Sequence, residues 1–188
     1  MTAGHDVCPA SHAGMLDHPI RNLIQSPRRI VGRYLRAGDR VLDIGCGPGY
    51  FSRPMARMVG KSGSVVSADL QDEMLAMLRD RAGKEGLESR IHIHKTRPET
   101  LDLGGLGPFD FILAFYVVHE VPDIDRFFDE AYAALRPGGR ILVVEPSHHV
   151  DGEEFAETLA KAGSAGFSVE KGPRVMFSRT ALMKKPAK

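Results

Sequence analysis

Asp43-x-Gly45-x-Gly47-x-Gly49 is the densest chemical signal in this chain of 188 residues. It follows an apolar run (Val41, Leu42, Ile44) and precedes Phe51, Met55, Met58 and Val59, which recur at helical spacing. The pattern is strand, glycine turn, helix. Glycine serves where φ must be positive, or where a ligand must touch the main chain with no Cβ in the way. The open N–H groups of the following helix start attract an anion or a polar ligand tail. Such a turn is built to hold a small molecule. A dinucleotide fingerprint, Gly-x-Gly-x-x-Gly, would put its third glycine at position 50, where Tyr50 stands. Asp69 comes 20 positions after Gly49, close to the offset at which an acid meets ribose hydroxyls. Its other reading is as the cap of a helix starting at Leu70.

Three further stretches extend the pattern: Val65 to Asp69 (VVSAD), Phe109 to Val121 (FDFILAFYVVHEV) and Leu135 to Glu145 (LRPGGRILVVE). Together with the glycine turn, over roughly residues 30 to 180, the chain resembles the class I S-adenosylmethionine-dependent methyltransferases. These stretches resemble motif I, the second strand with its ribose-binding acid, the fourth strand with its loop, and the Pro-Gly-Gly turn with the fifth strand. The resemblance implies S-adenosylmethionine as cofactor. It places Asp43, Gly45, Cys46, Gly47 and Gly49 around one part of it, with Cys46 read as packing. Asp69 and Leu70 fall at the ribose, and Phe115 lines the cofactor or acceptor cavity. In this family an acid after the third strand usually accepts from the adenine amino group. Here Arg97 holds that place, beside Thr96. Arginine has no acceptor, so the base must be read by Thr96, by Glu99 or by backbone groups.

Methyl transfer from a sulfonium needs orientation above all, worth up to roughly 7–11 kcal/mol. A general base is required only when the acceptor loses a proton. The candidates are His119 and Glu120 after the fourth strand, and Glu145, His148 and His149 after the fifth. A surface histidine without a role is the competing reading of each. Asp110, at the start of its strand and so at the far end from a ligand, reads as structural. No Asn/Asp-Pro-Pro-Tyr run appears, and no Pro-Cys pair follows the fourth strand. Both absences argue against DNA-base methylation.

These residues need a scaffold, and the chain supplies its signals in order. Ser26-Pro27 reads as a helix start, as does Pro19. Ile30, Val31, Tyr34 and Leu35 fall on one face of that helix, and Arg28, Arg29, Arg33 and Arg36 on the rest. The glycine turn runs into a helix from about Tyr50 to Val59, stopped by Gly60. Ser64 to Asp69 is a strand, and Leu70 to about Ala82 a helix with Met74, Leu75, Leu78 and Ala82 inward. Ile91 to His94 is a short strand, Lys95 to Pro108 a loop, and Phe109 to Phe115 a strand buried on both faces. Asp123 caps a helix carrying Phe127, Phe128, Ala131 and Leu135, which Pro137-Gly138-Gly139 stops. Arg140 to Glu145 is the fifth strand. A helix near Glu153 to Ala162 and strands near Phe167 to Glu170 and Val175 to Ala181 complete the pattern. The expected fold is α/β: a doubly wound, mostly parallel seven-stranded sheet with an antiparallel last strand and N-terminal helices. Residues 1–15 are expected to be a mobile tail. Residues 16–188 form a single domain that includes an N-terminal helical cap (about 16–37).

The formal net charge of +1 gives no electrostatic case for DNA or a membrane as partner. Two cysteines make no disulfide framework, the first residues hold no signal-peptide core, and no run approaches the ~20 apolar residues of a membrane span. A cytoplasmic location is the expectation. His5, Cys8 and His12 are soft ligands without an evident fourth, so no metal is expected. The function expected is methyl transfer to a small-molecule acceptor, with a homodimer left open. The alternatives are an RNA methyltransferase using the Arg28 to Arg36 face, a nicotinamide-dependent oxidoreductase, and a cofactor-binding protein without catalysis.

Overall fold

β1 (Arg40–Ile44) is the middle of the molecule. It pairs in parallel with β2 (Ser64–Asp69) on one side and β4 (Phe109–Phe115) on the other. The computed structural model describes residues 24–187. The tail, the helix start at Pro19 and the residues His5, Cys8 and His12 lie outside the described residues. β3 (Ile91–Lys95) flanks β2, and β5 (Leu135–Pro146) flanks β4. β7 (Ser178–Lys184) lies antiparallel between β5 and β6 (Ser168–Lys171), so the order is β3-β2-β1-β4-β5-β7-β6. The direction of the chain reverses outward on both sides of β1 and β4, which opens a crevice at their carboxyl ends.

Strand alternation divides the core in two. Val41, Val65, Phe111, Leu113, Leu142 and Val144 face one layer, made by α1 (Pro27–Ile30), α2 (Ser52–Met58) and α3 (Asp72–Lys84). Leu42, Ile44, Val66, Ile112, Ile141 and Val143 face the other, made by α4 (Ile124–Ala134), α5 (Gly152–Ser164) and the 96–108 loop. Each such buried side chain contributes about 1.5–3 kcal/mol, so a slip of one residue in any central strand would exchange the two layers. Asp123 accepts from Arg126 N–H at 2.9 Å, and Asp151 and Glu154 form a reciprocal cap on α5.

Several boundaries differ from the sequence reading. α2 starts at Ser52 rather than Tyr50, because the glycine turn continues through Phe51. α3 starts at Asp72, since Asp69 and Gln71 make the preceding turn. α4 ends at Ala134, and Leu135 is already extended and paired with Phe109. Pro137-Gly138-Gly139 does not stop a helix. It bulges from the pairing with β4 between Leu135 and Arg140, which pair with Phe109 and Phe111, while Gly138 and Gly139 exchange main-chain hydrogen bonds with Lys185. β7 starts at Ser178, three residues later than expected, because Phe177 takes a φ of 57° that no strand tolerates. α1 is four residues long, with Pro27 at its first position. It buries Ile30, and the turn after it buries Val31 and Tyr34. Arg28, Arg29, Arg33 and Arg36 are exposed. Among the described residues no helix is long and apolar enough to cross a membrane.

Candidate active site

The carboxyl ends of β1 to β5 open into a cavity of about 570 Å³, lined in part by Asp43, Gly47, Asp69, Thr96, Phe115 and His119. The glycines of the turn do different work. An added Cβ would lie 2.3 Å from Leu78 Cδ1 at Gly49 and 2.8 Å from Val117 Cγ2 at Gly45, so these two let α3 and the 117–122 loop close on the turn. Gly47, with φ 52°, has nothing within 4 Å of such a Cβ. Only Gly47 leaves main chain bare toward open space.

Buried acids hold the turn. Asp43, at the end of β1, accepts from Ser52 Oγ at 2.5 Å, and Ser52 Oγ in turn accepts from Ser67 Oγ at 2.9 Å. That chain joins β1, α2 and β2 and makes Asp43 a structural anchor, even though it also lines the cavity. Asp69 lines the cavity and ties the glycine turn to the turn before α3, rather than capping a helix at Leu70. Its Oδ2 accepts from Gly47 N–H at 2.8 Å and its Oδ1 from Gln71 N–H at 2.9 Å. An ionised carboxylate has lone pairs beyond those two. Burial, partly offset by these N–H donors, pushes its carboxyl above the usual range. Cys46 is buried in the turn, and its thiol is pushed well up by burial and then by Asp43 and Asp69, so it stays a neutral packing group.

Thr96 is buried and donates its N–H to Asp69 O at 3.0 Å. Arg97 lines the cavity, while its guanidinium pairs with Asp102 at 3.4 Å in an exposed position. The loop bearing both is held from α4 by Glu130, which accepts from Thr100 Oγ1 at 2.7 Å and Leu101 N–H at 2.6 Å. These two donors, with Arg126, outweigh the upward push of burial and lower the Glu130 carboxyl. Sequence reasoning missed Glu130, and no local signal marks it, since its partners lie 29 and 30 positions away.

On the acceptor side the structure brings together residues from two loops. Glu145, 1% exposed, accepts from Val118 N–H at 2.9 Å through Oε1, and its Oε2 is hydrogen-bonded to His119 Nδ1 in a short contact. The His119 ring stacks on His149 at 5.9 Å and 8°, and His149 lies 4.4 Å from His148. Burial opposes a charge on His119, but the Glu145 hydrogen bond and charge, with Glu120, together raise its pKa above the ordinary value. Aromatic rings close the opposite wall. Phe115 sits 4.5 Å from Phe51 and 4.4 Å from Tyr116, whose φ is 60°. Tyr116 Oη is bonded to Ser178 Oγ at 2.6 Å and receives Gln25 Nε2 at 2.8 Å. Among the described residues no three His, Cys, Asp or Glu side chains converge to hold a metal.

A family model described as a methyltransferase domain matches residues 41–139, just over half of the chain. The chain belongs to the class I S-adenosylmethionine-dependent methyltransferases. The methyltransferase is 35% identical over 111 residues to the ubiquinone/menaquinone biosynthesis C-methyltransferase UbiE of Haemophilus ducreyi. The match covers 59% of this chain and 42% of that protein. The Vibrio vulnificus protein of the same description is 35% identical over 115 residues, 61% of this chain and 44% of its own. The match therefore spans less than half the length of these curated relatives. A solved methyltransferase from Aquifex aeolicus shares the fold at TM-score 0.82 and 23% identity, covering 95% of this chain and 98% of that one. One described as putative, from Methanococcus maripaludis, does so at 0.76 and 16%, covering 100% and 98%. S-adenosylmethionine is the cofactor of the family. The methyltransferase fits it on its own geometry: a main-chain cradle at Gly47 that a Cβ would fill, with an acid at its rim in Asp69.

Proposed function

We propose that this chain transfers a methyl group from S-adenosylmethionine to a small, largely apolar acceptor that gives up a proton, with His119 as the base. The observation that carries the proposal is His119 on the cavity wall, hydrogen-bonded from behind by buried Glu145. When bound, S-adenosylmethionine supplies a methyl group on a sulfonium, whose leaving group is a neutral thioether. The main chain at Gly47 and the carboxylate of Asp69 would hold its polar end, with Leu70, Thr96 and Arg97 along the base and Cys46 and Phe115 as apolar wall. Asp43 and Gly45 would keep the turn in shape, and Gly49 would let it pack on α3.

Glu145 fixes the tautomer. A carboxylate accepts from Nδ1–H, so the neutral imidazole carries its lone pair on Nε2. Nε2 takes the acceptor's proton, and buried Glu145 stabilises the imidazolium that results. Glu145 is thus a positioning residue, and His148 acts at the rim through the stack rather than on the acceptor. An acceptor oxygen loses its proton as it attacks. An acceptor carbon loses it after the new C–C bond forms, which agrees with relatives described as C-methyltransferases. The rings of Phe51, Phe115 and Tyr116 favour an aromatic or otherwise flat acceptor.

The test is to incubate the protein with S-[methyl-14C]adenosylmethionine and a panel of phenols, quinols and RNA, and follow label and S-adenosylhomocysteine. Label in a phenol or quinol, lost with His119→Ala, supports the reading. Label entering RNA instead, lost on changing Arg28 and Arg29, replaces it with the RNA reading. Tight NAD binding with no response to S-adenosylhomocysteine would remove both.

A further inference from the structure

The sheet carries a second cavity, of about 330 Å³, at the end opposite the glycine turn. Arg36, Arg136, Arg140 and Lys184 line it, together with Asp39, Asp110 and Glu170. Arg140 on β5 and Lys184 on β7 stand directly opposite each other in the antiparallel register. Side chains so paired share one face of the sheet with Cβ atoms about 4.5–5.5 Å apart, and like charges in that position are destabilising.

The acids nearby form no ion pair with either member of that pair. Asp110 is taken by Arg136 Nε at 2.5 Å and Arg40 N–H at 2.8 Å. Asp39 accepts from the main-chain N–H of Arg36 at 2.7 Å, not from its guanidinium. Glu170 pairs with Leu182 across β6 and β7, one pleat away from Lys184. Among the described residues the carboxylates of Asp80, Glu85, Asp110 and Glu130 have cation partners, whereas no ion pair reaches Arg36, Arg140, Lys184 or Glu170. Arg140 donates to Tyr34 O at 3.3 Å and lies over the Tyr34 ring at 5.6 Å. These contacts orient the guanidinium without neutralising it.

We propose that this cavity binds a phosphate-bearing small molecule, its phosphate bridging Arg140 and Lys184 with Arg36 beside them. A phosphate carries more charge than a carboxylate, and its oxygens suit both the arginine fork and the lysine ammonium. The volume falls at the lower end of the range for small-molecule pockets, ~300–1,000 Å³, which is more than a lone ion fills. Asp39 and Glu170 stand at the walls as acceptors for hydroxyls on the remainder of such a molecule. The site is independent of the methyl-transfer chemistry, because its residues lie at the other end of the strands.

Thermal unfolding with pyrophosphate, inorganic phosphate and ribose 5-phosphate, against sodium chloride at matched ionic strength, tests the proposal. The melting temperature is expected to rise and saturate with pyrophosphate and ribose 5-phosphate and to stay flat with chloride. Lys184→Glu turns the like-charged pair into an opposite one, so it should raise the ligand-free melting temperature and abolish the phosphate response. Arg36→Gln should weaken binding about tenfold, the loss of one charge-assisted contact. Stabilisation by S-adenosylhomocysteine should be unchanged in both. If Lys184→Glu does not fold, Lys184→Gln is scored the same way for the phosphate response. Chloride matching phosphate would reduce the effect to screening and overturn the site. So would an undiminished response in the Lys184 variants, which would put the anion elsewhere.

Discussion

The two ends of the sheet treat charge in opposite ways. At the carboxyl end three acids are buried and each is met by donors: Asp43 by Ser52, Asp69 by Gly47 and Gln71, Glu145 by Val118 and His119. At the amino end the charges are less closely matched, with Arg140 facing Lys184 across the ladder. A buried carboxylate without donors costs several kcal/mol, so the buried acids of the carboxyl end all have donors. At the solvated end a mismatch costs far less and persists. The first arrangement fixes geometry for chemistry; the second leaves charge for a ligand to meet.

The contrast is broken most severely at His119. His119→Ala is expected to lower turnover by roughly 10²–10⁴-fold and leave S-adenosylhomocysteine affinity nearly intact, as single-turnover rates and calorimetry would read. Unchanged turnover would make the histidine a packing residue.

Glu145→Gln removes the charge that raises His119, so the pH at which activity rises should move to acid by about 1–3 units. In the wild type the neutral base forms only above the raised pKa, so activity climbs as pH rises through it. Stability has the opposite sign. The contribution from a raised His119 is full below its unfolded value, about 6.5, and is lost as pH rises through the folded one. Urea titrations across that window should show the loss in the wild type and a flatter curve in the glutamine variant.

A smaller effect separates two glycines. Gly49→Ala drives a Cβ into Leu78 and should cost about 1–3 kcal/mol of stability. Gly47→Ala meets no atom, so its stability cost is only the left-handed φ of 52°, about 1–2 kcal/mol, and it should in addition weaken the affinity for S-adenosylhomocysteine. Undiminished affinity for S-adenosylhomocysteine in Gly47→Ala would contradict the cradle.

Two changes should scarcely register in stability. Asp110→Asn, at the amino end, loses the Arg136 pair and is expected to lower stability by about 1 kcal/mol or less with cofactor affinity unchanged. Arg97→Asp gives up an exposed pair with Asp102, again worth at most about 1 kcal/mol. It also offers an acceptor beside Thr96, so affinity for S-adenosylhomocysteine should rise; no change in calorimetry would place Arg97 away from the adenine.

Local order carried much of this into the sequence itself. The spacing of Gly45, Gly47 and Gly49, the continuous apolar run of β4, and Met74, Leu75, Leu78 and Ala82 on α3 are each legible within one or two turns of chain. Backbone sterics and the 3.6 and 2.0 periodicities act over that range. His119, Glu145 and Asp69 were also legible as types at plausible strand ends. Their partners were not. The meeting of His119 with Glu145 spans 26 positions, and the grip of Glu130 on the 96–101 loop spans 29 and 30. The facing of Arg140 and Lys184 depends on which strand enters beside β5. Such pairings follow from strand order and register, which the burial of both sheet faces decides for the whole chain at once. A short window of sequence contains no term for them, and only the folded sheet brings those side chains together.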